Sequence, residues 1–115
     1  MSHKRPRNIG VKRQARAPVF AALGDPTRLS LVAKLSGGRP CSISQLTRGS
    51  KLTRQAITKH LRVLENAGIV HCLRTGRESR FQFDLKPIVE MKKYLDSVSV
   101  QWDQALSRLK SLVED

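Results

Sequence analysis

The sequence predicts a mainly helical α+β domain that carries one small two-stranded β-ribbon and one long C-terminal helix. Three observations carry that expectation. Apolar residues recur at helical spacing through most of the chain, and residues 70–85 instead alternate at strand spacing. After Lys86-Pro87 the apolar spacing becomes 3,4,3,4,3,4,3 and runs unbroken to Leu112. At 115 residues the chain is long enough for one domain. With 4% aromatic residues, aliphatic side chains must fill the core.

Residues 1–16, MSHKRPRNIGVKRQAR, lack apolar periodicity and read as a disordered basic arm. Pro18 is expected to open a short helix, VFAALG, that Gly24 ends. Asp25-Pro26 marks the next start, since Asp accepts free N–H groups at the N-cap and Pro has none to lose at the first helical position. Leu29, Val32, Ala33 and Leu35 supply the apolar face of that second helix, and Gly37-Gly38 stops it. Pro40-Cys41-Ser42-Ile43 reads as short and extended. Ser44 is expected to cap a small helix, SQLTRGS, with Leu46 inward, before a turn at Ser50-Lys51-Leu52.

Thr53 caps the following helix, on which Ile57, Leu61 and Leu64 form one buried stripe. Arg54, Gln55, Thr58, Lys59 and Arg62 lie off it, and Gly68 is the C-terminal stop. Val70 and Cys72 then alternate inward on one strand, with Phe81, Phe83 and Leu85 doing so on its partner. Residues 75–79, TGRES, connect the two, and Arg74, Arg77 and Arg80 surround that connection. The divisions expected are an arm at 1–16, a compact unit at 17–85 and a C-terminal helix at 86–115.

The C-terminal seam comprises Ile88, Met91, Leu95, Val98, Trp102, Ala105, Leu109 and Leu112. Twenty-six residues at 1.5 Å each span roughly 39 Å, more than a small domain covers, so part of the seam must find another chain. That predicts a homodimer, with Tyr94 adding area beside the seam.

The net charge of +13 is unevenly placed. Residues 1–16 hold six Lys/Arg and no acid, residues 17–85 eleven against four, and residues 86–115 five of each. A basic excess confined to the first three quarters of the chain fits a polyanionic partner. No apolar run reaches the roughly 20 residues that span a bilayer, and the basic N-terminus is followed by no apolar core of a secretory signal. Two cysteines with thirty residues between them suggest no disulfide scaffold, and a reducing cytoplasm is the expected location. The histidines, cysteines and few acids compose no triad or carboxylate pair, and no glycine-rich phosphate loop is present, so no enzyme is expected.

The segments FAALGDPTRLSLVAKL, SISQL, LTRQAITKHLRVLENAGIV and TGRESRFQF, in that order between Pro18 and Leu85, together resemble the ArsR/SmtB family of winged helix-turn-helix repressors. The resemblance implies a homodimer built on the first and last helices, Phe20 among its contacts, that binds a palindromic double-stranded DNA operator and represses its own operon. It places the recognition helix at 53–67 and the wing at 70–85. Residues at the start of a recognition helix reach base edges: Gln55 suits adenine, Arg54 suits guanine, and Thr53 and Thr58 suit phosphate or a thymine methyl. Lys59, Arg62, Arg74, Arg77 and Arg80 suit phosphates, although Glu78 is able to pair with one of the wing arginines. No acid interrupts residues 51–63.

Many members of that family sense metals through a cysteine pair whose positions here fall on Ser42 and Ser44. The last helix has no histidine, so the chain resembles a branch lacking the metal motifs, and no metal or cofactor is expected. The alternative is a thiol- or metal-responsive sensor using Cys41 and Cys72, with Arg39 near Cys41 in sequence. The other reading of Cys72 is a small buried hydrophobe. His60 is expected to pack between helices and donate one hydrogen bond, and His71 to sit solvated on the outer strand face. A basic RNA-binding protein is the remote alternative, disfavoured because the phenylalanines and Trp102 occupy apolar-face positions rather than exposed stacking sites.

Overall fold

The computed structural model describes residues 9–114, with side chains from Arg16 onward. Its elements are α1 (Ile9–Leu23), α2 (Pro26–Leu35), β1 (Cys41–Ser42), α3 (Ile43–Thr47), α4 (Arg54–Asn66), β2 (Val70–Thr75), β3 (Glu78–Phe83) and α5 (Leu85–Glu114). Helices α1 to α4 enclose an aliphatic core of Val19, Ala22, Leu31, Leu35, Leu46, Ile57, Leu61, Leu64 and Ile69. Val70 and Phe81 close it from the sheet and Met91 from α5.

The helix starts follow from capping chemistry. Asp25 Oδ2 accepts the Arg28 backbone N–H at 3.0 Å, with Pro26 opening α2. Thr53 Oγ1 accepts the Ala56 N–H at 3.1 Å and starts α4. The cap of α3 is Ser42 rather than Ser44. Its hydroxyl accepts the Gln45 N–H while the Gln45 side chain accepts the Ser42 N–H, and this reciprocal pair fixes the start two residues earlier than expected.

Helix α1 begins at Ile9, so residues 9–16 of the expected arm belong to a helix and Pro18 lies inside it. Residues 12–17, KRQARA, are all strong helix formers, and they outweigh the one hydrogen bond that Pro18 cannot donate. The rest of the arm, residues 1–8, lies outside the described residues. On α2 the inward face carries Leu31 and Leu35, whereas Leu29 and Ala33 are exposed. Leu31 and Leu35 are one turn apart and meet the core together, which turns Leu29 outward.

The sheet has three antiparallel strands in the order β1-β3-β2. Beyond the expected ribbon, β1 pairs with β3 through Cys41 opposite Phe81 and Ser42 opposite Arg80. On the other side Val70 faces Phe83 and Thr75 faces Glu78, leaving Gly76-Arg77 as a two-residue turn, shorter than the expected connection. Gly76 adopts φ +63°, which a tight hairpin turn of this kind demands. Leu85 is exposed and already helical, since β3 stops at Phe83 and Asp84 takes over as a cap. Asp84 Oδ1 accepts the Lys86 N–H at 2.9 Å, and Pro87 is harmless in the first turn of α5.

The thirty residues of α5 span about 45 Å, and the whole molecule extends 67 × 48 × 21 Å. Met91 is buried in the chain's own core and Ile88 packs against it. Of these two seam residues, both expected at a dimer contact, Met91 is enclosed by the chain's own core, where α1 lies across the first turns of α5, and Ile88 is half-buried. Phe20 also packs on the core and meets Tyr94 edge-on at 6.1 Å, while Arg16 stands 4.8 Å over the Tyr94 ring. Beyond this clasp the seam is open: Leu95 is 50% exposed, Trp102 63%, Leu109 57% and Leu112 75%, with Val98 and Ala105 half-buried.

Candidate nucleic-acid interface

Helix α4 divides sharply into two faces. Ile57, Leu61 and Leu64 are buried, whereas Gln55, Lys59 and Arg62 are exposed and fall within roughly 60° of one another around the helix. The exposed face carries no acid, and the net positive charge there costs little because solvent reaches it. Gln55 has no hydrogen-bond partner among the described residues, so its amide keeps donor and acceptor available together.

The other expected readers have local duties. Thr53 caps α4 with its hydroxyl oxygen. Thr58 Oγ1 donates to the Arg54 carbonyl at 2.7 Å and the residue is half-buried. Arg54 Nη1 donates to Ser44 Oγ at 2.6 Å, which draws the guanidinium back toward α3. In the wing, Arg74 and Arg77 are exposed, whereas Arg80 Nε donates to Glu78 Oε1 at 2.9 Å. The carboxylate expected to restrain one wing arginine thus restrains Arg80. Ser42, Ile43, Ser44, Arg54, Arg77, Glu78 and Ser79 line an open cleft of about 340 Å3 between α3, the start of α4 and the wing.

A polar cluster behind α4 fixes its orientation. Arg28 on α2 donates from Nε to the Ala22 carbonyl at 2.5 Å and from Nη2 to the Ala21 carbonyl at 3.4 Å, closing the end of α1. Its Nη1 lies 3.3 Å from His60 Nδ1 on α4. A guanidinium only donates, so in this contact between α2 and α4 the His60 Nδ1 is the acceptor. Asp25 Oδ2 lies 3.8 Å from the same nitrogen, too far for a hydrogen bond. Asp25 is held below the usual carboxylate range, chiefly by the Arg28 backbone N–H. Sequence reasoning gave Arg28 no role, because its partners lie on two other helices.

His71 is exposed as expected, yet it is not merely solvated: Nε2 lies 2.7 Å from Asp84 Oδ2. That hydrogen bond, with the Lys86 N–H next in weight, keeps Asp84 below the usual carboxylate range. Cys41 and Cys72 are both half-buried free thiols opposite Phe81, one on either side of β3. Two strand spacings separate their Cα atoms by about 10 Å, beyond the roughly 7 Å that a disulfide tolerates. Among the described residues, no three His, Cys, Asp or Glu side chains converge as metal ligands would. Ser42 and Ser44 spend their hydroxyls on the α3 cap and on Arg54. No helix among the described residues is long and apolar enough to cross a membrane.

Comparison with known proteins agrees with this architecture. A family model described as a helix-turn-helix domain matches residues 23–72. The HTH-type transcriptional regulator YuzN of Bacillus subtilis is 37% identical over 81 residues, covering 65% of this chain and 88% of that protein. An ArsR-like transcriptional regulator from Rhodococcus sp. RHA1 superposes with a TM-score of 0.75 at 32% identity, over 89% of this chain and 95% of the other. The homodimeric winged helix-turn-helix domain of Mb0332 from Mycobacterium bovis shares the fold at 15% identity, with a TM-score of 0.64 over 87% and 92% of the two chains.

Proposed function

Because this chain belongs to the ArsR family of winged helix-turn-helix, DNA-binding transcriptional regulators, we propose that it is a homodimeric repressor of a two-fold symmetric operator, acting in the cytoplasm. The observation that carries the reading is the acid-free outer face of α4 beside a wing that presents Arg74 and Arg77. Gln55 reads sequence, while Lys59, Arg62 and the two exposed wing arginines hold phosphates. Thr53 and Thr58 act chiefly by starting and stiffening α4, and Arg80, tied to Glu78, contributes least.

Dimerisation completes the reader, since two recognition helices are needed for two half-sites one turn of DNA apart. The open stretch of α5 from Leu95 to Leu112 offers a row of exposed apolar side chains, Leu95, Trp102, Leu109 and Leu112, of the kind that marks an interaction surface. Phe20 and Tyr94 lie at its inner end.

Sequencing of duplexes enriched by the purified protein, from genomic fragments and from a random pool, tests the reading. A two-fold symmetric motif upstream of a small set of genes is expected, and enrichment without any motif would remove the sequence-specific role. The thiol sensor is the weaker reading, since Phe81 separates the two cysteines. Operator binding is expected to be unchanged by a chelator, and a stoichiometric metal whose removal alters affinity would contradict that.

A further inference from the structure

We infer that the cleft between α3, the start of α4 and the wing is a seat for one backbone phosphodiester of the DNA, held jointly by Arg54 and Arg77, with Ser44 as the residue that positions Arg54. The inference rests on the DNA-binding reading and gives Arg54, by residue type and helix position a candidate guanine reader, a backbone role instead.

Four observations carry it. Arg54 lies about 100° around α4 from Gln55, away from the face shared by Gln55, Lys59 and Arg62. Its guanidinium is tethered at 2.6 Å to Ser44 on the neighbouring helix, which turns it toward the cleft. Arg77 lines the same cleft from the wing turn, so two arginines from separate elements border a space of about 340 Å3. The one acid lining the cleft, Glu78, is already paired with Arg80 at 2.9 Å, which leaves the two arginines uncompensated. Ser44 and Ser79 add hydroxyl groups at the rim. Forked donors facing an open cleft suit a singly charged group with two exposed oxygens, as a phosphodiester has. A base edge would have to be reached without the Ser44 tether.

The test compares two duplexes of equal length, one enriched from a random pool by the wild-type protein and one of scrambled sequence, across a salt series. Arg54→Ala and Arg77→Ala should each weaken both duplexes by the same factor and lower the log–log salt slope, the double variant by about 0.9 for each protomer's lost phosphate. Arg54→Lys should keep the slope, and Ser44→Ala should weaken both duplexes with the slope unchanged. Single methylphosphonate linkages then locate the contact. One linkage that weakens wild-type binding should cost less in either arginine variant than in wild type and nothing further in the double variant, and it should be the same linkage for both. The seat is overturned if Arg54→Ala affects only the enriched duplex and relaxes one base position with the slope intact. It is also overturned if the two arginines couple to different linkages, or if inorganic phosphate at constant ionic strength binds the protein while Arg54→Ala leaves duplex affinity unchanged. A wild-type protein that holds neither duplex would instead remove the DNA reading beneath it.

Discussion

At the scale of single residues, the division between reading and holding DNA comes down to which side chains are already occupied. Gln55 has a bidentate amide and no internal partner among the described residues, whereas Thr58 spends its hydroxyl on the Arg54 carbonyl. Gln55→Ala is therefore expected to cost on the order of 1–3 kcal/mol on the enriched duplex and almost nothing on scrambled DNA. Equal losses on both would reassign Gln55 to the backbone. A second residue-scale expectation concerns acid. Asp84 is depressed mainly by His71 and also caps α5, so its folded pKa lies below its unfolded value near 4. A depressed carboxylate contributes stability that is complete above the unfolded pKa and disappears as pH falls through the folded one. Thermal melts should therefore fall below about pH 4, and Asp84→Asn should melt lower at pH 6 yet lose less between pH 4 and pH 3. A variant as acid-sensitive as wild type would place the linkage elsewhere, Asp25 being the next candidate.

At the scale of elements, α5 divides along its length into a buried start and an open remainder, to which the proposed function gives the dimer contact. Met91 belongs to the core, so Met91→Ala should cost about 2–5 kcal/mol of stability. Leu95 and Leu109 are half exposed, and aspartates placed there should leave the fold standing while sedimentation shifts from dimer to monomer and DNA affinity collapses. An unchanged dimer would move the interface off α5. The same division shows what was legible beforehand. The α4 stripe, the Asp25 and Thr53 caps, the wing strands and the length of α5 are written locally, in periodicity and neighbouring residues. What escaped is non-local: the pairing of β1 with β3, the Ser44–Arg54 tether across a turn, the Arg28–His60 contact between helices, and the choice of which seam residues α1 covers. Two misses were local. The Ser42/Gln45 capping box was readable from spacing, and the inward Leu31 face lost to an equally periodic alternative through Leu29.

At the scale of the whole molecule, charge is separated from the self-pairing strip: the basic excess lies in residues 1–85 and the segment carrying the seam is balanced. In the proposed dimer, two such chains would meet through α5 without bringing their strongest like charges together, and each would offer its basic face to the same duplex. The N-terminal residues extend that argument. Because α1 starts at Ile9, a deletion that spares the helix removes residues 2–8 and with them Lys4, Arg5 and Arg7. Removal of three charges per protomer should reduce the salt slope by up to about 0.9 for each phosphate that is no longer neutralised. Lys4-Arg5-Pro6-Arg7 places arginines on both sides of a proline, a segment suited to a narrow A·T-rich minor groove, where arginine is favoured electrostatically. Insertion there predicts a larger penalty from the deletion on duplexes with A·T-rich flanks than on those with G·C-rich flanks. A tail that only hovers near the phosphates predicts equal penalties, so the flank comparison, made at one salt concentration, decides between the two.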